Sequence, residues 1–132
     1  MGMWIYLTLI SLLVPGILAA IGSIFRNSAP ADINPIYGYR STMSMKNQDT
    51  WEFANTYWGK LAWKWGLTLI PASAAIMVAV IWAGVEVVSI TLGVVEMLQI
   101  LVLLGTIPAV ERALKREFDQ DGNRRTDENR NS

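Results

Sequence analysis

Apolar positions along this chain fall into three long blocks. Residues 1–25 carry no charged side chain, residues 67–85 carry none, and residues 87–110 are interrupted only by Glu96. About 20 apolar residues make a helix long enough to cross a hydrocarbon core, and a crossing helix pairs its own backbone where no water can. The pattern predicts an all-α integral membrane protein with three transmembrane helices. The first occupies residues 1–25, a loop follows over 26–65, a helical hairpin over 66–110, and a charged tail over 111–132. A bend is expected near Pro15-Gly16, since proline removes a donor from the ladder.

The loop is itself patterned. Residues 27–34 are polar and punctuated by Pro30, with Pro35 just beyond, and read as an irregular connector. Residues 36–44 have no clear period. Ser44 or Asn47 can then cap a helix whose first turn holds Asp49 and Glu52, where the dipole favours acids. Trp51, Ala54, Trp58, Ala62 and Trp65 recur at helical spacing, with Glu52, Asn55 and Lys60 off that stripe. This predicts an amphipathic interfacial helix on the inner leaflet that runs on into the second crossing, with Lys60 and Lys64 snorkelling to the headgroups. In the second crossing Ala75, Ala79 and Ala83 form a small-residue row suited to close packing on the first or third helix. Glu86 marks a short outer turn. The tail starts as a helix in which Glu111, Arg112, Lys115, Arg116 and Glu117 mix signs at pairing distance. From Asp119 its composition predicts disorder.

Charge sets the orientation. The formal net charge is zero, from 11 basic and 11 acidic residues. Arg26, Arg40, Lys46, Lys60 and Lys64 lie between the first and second blocks, and every other basic residue follows the third. Three crossings put all of them on one face, which the positive-inside bias assigns to the cytoplasm, with the N-terminus outside. Trp51, Trp58, Trp63 and Trp65, with Phe53 and Tyr57, crowd the approach to the second block as headgroup anchors do. A cleaved signal peptide over residues 1–20 is the rival reading; the missing basic n-region speaks against it.

Candidate chemistry is sparse. The chain has no cysteine and no histidine, which removes disulfides, thiol nucleophiles, most zinc sites and His-based acid–base catalysis. No catalytic triad, phosphate loop or metal-ligand cluster is visible, so no enzyme activity, cofactor or metal is expected. The basic residues are interleaved with acids and do not point to nucleic acid. Arg40 offers an always-charged fork for a phosphate, a carboxylate or backbone carbonyls, with Ser41, Thr42, Ser44, Asn47 and Asn55 as neutral hydrogen-bonding groups around it. These residues could form a docking surface for a partner, or tie irregular backbone onto the helix ends. Glu96 is the sharper anomaly, because a charged carboxylate at mid-bilayer costs about 3 kcal/mol on insertion scales. Ser89, Gly93, Gln99 and Thr106 share its region of the third helix. It is expected to line a ligand or proton site opposite Ser73 or Thr68, or else to be a hydrogen-bonded packing residue.

The run PIYGYRSTMSMKNQDTWEFANTYWGKLAWKWG resembles the signature of the SdpI family, with Gly38, Tyr39, Arg40, Ser41, Ser44, Asn47, Trp51, Ala54, Asn55, Gly59 and Lys60 in the matching places. Glu111, Leu114, Lys115, Phe118, Asp119, Gly122 and Asn123 resemble the family's ending. The resemblance implies a small bacterial plasma-membrane protein that gives immunity to a secreted, membrane-active peptide toxin, with a cytoplasmic regulatory protein as a further partner. Arg40, Ser41, Ser44, Asn47, Trp51 and Asn55 are its implied partner-binding residues, beside Glu96 from the residue reading. Three functions stay open: immunity by binding, a structural or regulatory subunit of a larger membrane complex, and transport or intramembrane catalysis, for which only Glu96 speaks and of which transport, with so few helices, needs a homo-oligomer.

Overall fold

A lipid-spanning chain with no cysteine has helices and side-chain contacts alone with which to organise itself, and this one uses three helices. The computed structural model describes residues 1–36 and 38–125. Helix α1 is Gly2–Phe25, α2 is Gln48–Ala79 and α3 is Val85–Glu117. Each is long and apolar enough to cross a membrane. They run up, down and up, so α1 and α3 are parallel and both oppose α2. Leu9, Leu13 and Ile17 on α1, and Val94, Met97, Leu101 and Leu104 on α3, are exposed on the outside of the bundle. Such surfaces suit a lipid bilayer, where apolar exposure carries no cost.

The amphipathic stretch expected as an interfacial helix is the first part of α2, which continues without a break into the apolar segment. Its stripe faces protein: Trp51, Ala54 and Ala62 are fully buried. The cap falls to Asn47. Its side-chain oxygen accepts from Thr50 N at 2.9 Å, and Thr50 Oγ1 accepts from Asn47 N at 3.1 Å, a reciprocal capping box.

Helices approach closely where glycine removes the side chain. At Gly22 a Cβ would lie under 3.0 Å from the backbone of Ala62 and Trp63, at Gly59 from Phe25 and Arg26, and at Gly66 from Ala19. These glycines bring α1 against α2. The row Ala75, Ala79, Ala83 does not: all three residues are exposed, and Ala83 lies in the turn between α2 and α3. Two other contacts hold the membrane section. Trp4 donates its indole N–H to Met77 O at 2.8 Å. The fully buried Gln99 donates its amide to Ser11 O at 2.8 Å and to Ser73 Oγ at 2.9 Å, joining all three helices.

A cluster of buried apolar side chains forms at the loop end, while Leu18, Met77, Val88 and Val95 are buried farther along the bundle. Ala54, Val110, Leu114 and Phe118 are fully buried, with Tyr39, Met43, Phe53, Tyr57, Trp58 and Leu61 packed against them. The tail expected to be disordered from Asp119 instead folds back as far as Arg125. Phe118 bridges to Arg124, Asp119 N donates to Asn123 O at 2.8 Å, and Asn47 Nδ2 donates to Gly122 O at 2.7 Å. Gly122 has φ of 84°, a left-handed turn suited to glycine. The end of the tail, residues 126–132, lies outside the described residues.

Candidate functional site

The loop is pinned to α2 by polar side chains spaced along its first three turns. Asn55, fully buried, accepts from Tyr39 N at 2.6 Å through Oδ1 and donates through Nδ2 to Tyr39 O at 3.3 Å and Trp51 O at 3.0 Å. One amide thus satisfies both backbone groups of a loop residue, as buried irregular backbone requires. Trp51 donates its indole N–H to Pro30 O at 2.7 Å. Its ring and Asn55 lie so near Gly38, at φ of 103°, that a side chain there would be both strained and crowded. Ser44 Oγ lies within bonding range of Ser41 O at 2.8 Å and Tyr39 O at 3.1 Å, and Ser44 N donates to Ser41 Oγ at 3.1 Å.

Ser41, Ser44, Asn47, Trp51 and Asn55 are therefore brought together as a scaffold. Its product is the placement of Tyr39 and Arg40. The Tyr39 hydroxyl reaches across to α3 and donates to Glu111 Oε1 at 2.7 Å. Burial, reinforced by that carboxylate, pushes the Tyr39 phenol well above the usual tyrosine range. Arg40 donates to Pro35 O through one guanidinium nitrogen and is otherwise exposed.

Between this loop and α3 lies a cleft of about 580 Å³ lined by Gly38, Tyr39, Arg40, Ser41, Trp58, Leu103, Thr106 and Ile107. Trp58 is held by its indole N–H to Thr106 Oγ1 at 3.3 Å, and Thr106 donates in turn to Leu103 O at 2.6 Å. A smaller cavity of about 210 Å³ shares Gly38 and Trp58 and continues toward Ile21, Ile24 and Phe25 of α1. The larger cleft sets the apolar Trp58, Leu103 and Ile107 beside the Arg40 guanidinium and the hydroxyl-bearing Tyr39, Ser41 and Thr106, and the smaller one is lined mainly by apolar side chains. Together they suit a ligand with an apolar body and an anionic or carbonyl-bearing group.

Glu96 stands apart from this site. It bonds to neither expected partner: Ser73 is taken by Gln99, and Thr68 Oγ1 donates to Lys64 O at 2.7 Å on an exposed face. The side chain that joins the three helices is the neutral amide one turn further on, which can donate twice where a carboxylate cannot. Thr8 Oγ1, Glu96 Oε1 and Gln99 Oε1 are buried without a hydrogen-bond partner. Since the Ser11–Gln99 bond fixes the register of two parallel helices, Thr8 and Glu96 lie at one level, a turn toward the hairpin end.

The signature thus works as one architectural unit, and comparison with known families decides what it is. Residues 31–110 match the model of the SdpI/YfhL protein family. The chain belongs to the SdpI/YfhL family. No curated protein and no solved structure matches the chain. The matched segment of this SdpI/YfhL member contains the loop from residue 31 onward, all of α2 and α3 as far as Val110, so every residue lining the larger cleft falls inside it. Two positions that complete the site went unmarked as candidates in the sequence. Tyr39 was visible only as part of the signature, and Thr106 as one polar residue in an apolar helix; neither spacing nor charge joins them across 67 positions.

Proposed function

We propose that this SdpI/YfhL protein confers resistance to a membrane-active peptide by binding it, without catalysis, in the groove beneath the signature loop. The supporting observation is the cleft itself, which sets the apolar Trp58, Leu103 and Ile107 beside Arg40, whose guanidinium keeps most of its donors unused. A peptide that inserts into lipid brings apolar side chains for Trp58, Leu103 and Ile107, and a carboxylate or free backbone carbonyl for Arg40. In this reading the loop end faces the cytoplasm of a bacterial plasma membrane, as the basic residues direct. A cytoplasmic regulator would read the bound state from the loop surface.

The test is survival under challenge with secreted antimicrobial peptides. Cells overproducing the wild-type chain are expected to survive, while Arg40→Ala and Trp58→Ala variants at equal membrane abundance lose protection by about tenfold or more. Protection by no peptide, or full protection by both variants, overturns the reading. A second reading, a subunit of a larger membrane complex, is favoured by the exposed small residues Ala75, Ala79, Gly93 and Gly105 on the outer faces of α2 and α3. It predicts a stoichiometric membrane partner retained through purification.

A further inference from the structure

Five charges follow one another at the loop end of α3: Glu111, Arg112, Lys115, Arg116 and Glu117. Their spacing allows Glu111 to pair with Lys115 one turn on. The folded chain uses its acids elsewhere. Glu111 accepts from the Tyr39 hydroxyl, and Glu117 pairs with Arg124 at 3.5 Å. Among the described residues, Arg112, Lys115 and Arg116 form no ion pair with a carboxylate. The segregation leaves three exposed cations with no carboxylate partner among the described residues.

Those cations share one concave surface. With Tyr57 and Ala109 they line a cleft of about 520 Å³ between α2 and α3. Tyr57 is fixed there by stacking on Phe53, with ring centroids 5.9 Å apart. The cleft lies just past the last apolar turn of α3, at the level where a spanning helix meets headgroups. Leu104 and Leu101, about two and three helical turns back on the same face, are exposed. A charged cleft therefore sits directly above an apolar track. The groove at Arg40 is on the other side of α3, lined by Leu103, Thr106 and Ile107.

We infer that Arg112, Lys115 and Arg116 form a binding site for the headgroup phosphate of an anionic glycerophospholipid. Arg112 and Arg116 can fork onto the phosphate oxygens, Lys115 adds a point charge, and the Tyr57 hydroxyl adds a neutral donor at the wall. The acyl chains run down the track formed by Leu104 and Leu101. The site is independent of the peptide-binding reading, since it shares no residue with the Arg40 groove.

The test uses the full-length protein in phosphatidylcholine bilayers, with spin-labelled phosphatidylglycerol and spin-labelled phosphatidylcholine as probes. Wild type should immobilise phosphatidylglycerol preferentially, and salt should weaken the preference. Arg112→Gln, Lys115→Gln and Arg116→Gln together should abolish it, while Arg40→Gln leaves it unchanged. Each single substitution, safe for folding because the side chain is exposed, should lower the preference by about fivefold. A preference that survives the triple substitution overturns the assignment, as does one that follows Arg40. Displacement of the lipid by soluble glycerophosphate at equal concentration would show a site for free anions and would also overturn it.

Discussion

Asn55 illustrates how much of this protein rests on single polar side chains. Replacing it by alanine strands the N–H and C=O of Tyr39 inside the loop, at a cost of about 2 kcal/mol. Thermal unfolding in detergent should register that loss, and proteolysis within residues 36–46 should accelerate. Tyr39→Phe removes the link to Glu111 and adds a pH signature. The Tyr39 phenol has its folded pKa raised above the unfolded value of 10.0. Its stabilising contribution is therefore complete below pH 10 and falls away as pH rises toward the folded value. Unfolding titrated upward from pH 9 should show a steeper loss in wild type than in Tyr39→Phe. At this scale the sequence was half legible. Asn47 and Asn55 stood out as polar groups near irregular backbone, yet which carbonyl each would meet depends on chain distant in sequence. Glu96 drew attention by its charge, whereas Gln99 makes the bonds; they are three residues apart on one face, and periodicity cannot choose between them. Gln99→Leu should lower stability by about 1 kcal/mol, the scale of interhelical hydrogen bonds in membranes, with no such loss for Glu96→Gln.

Among the elements, the pairing of α1 with α2 is the most exacting. A side chain at Gly66 would run into the backbone of Ala19, so Gly66→Val should separate the helices. The expected cost is at least the 1–3 kcal/mol typical of overpacking, read as a lower Tm. The alanine row was the obvious small-residue motif, and it faces outward; the scattered glycines Gly22, Gly59 and Gly66, two of them next to a tryptophan, make the contact instead. The stripe on the first half of α2 misled for a related reason. Small and aromatic residues at helical spacing look the same whether their partner is lipid or protein. The tail was misread because its composition is polar, while Phe118, one apolar residue ahead of it, is fully buried with its ring edge-on to Phe53 at 5.6 Å. Phe118→Ala should cost about 3 kcal/mol and release the tail to protease.

For the whole molecule, hydropathy sufficed to read three crossings, since the cost of unpaired backbone in lipid leaves little alternative. What hydropathy could not convey is that two kinds of cohesion divide the bundle. In the membrane section, glycine contact and a three-way amide bond hold helices that gain nothing from burying apolar surface. At the loop end, water returns and an apolar core forms in the ordinary way. Denaturant, which weakens apolar burial in water, should therefore loosen the loop end first, observable as tryptophan fluorescence changing before helical circular dichroism.

Helix length gives this division a mechanical meaning. At 1.5 Å per residue, α2 is about 48 Å long against a hydrocarbon thickness of about 30 Å. Roughly its first third stands clear of the oil as a rigid post, and the clasp between Asn47 and Gly122 sits at the tip. Trp58 in the groove and Asn47 at the tip are on the same rod, about 16 Å apart. Under the proposed peptide-binding reading, a molecule lodged beside Trp58 would bear on the same rod that carries the tail at its tip, so Trp58→Ala should leave the Asn47–Gly122 clasp intact while removing the lever.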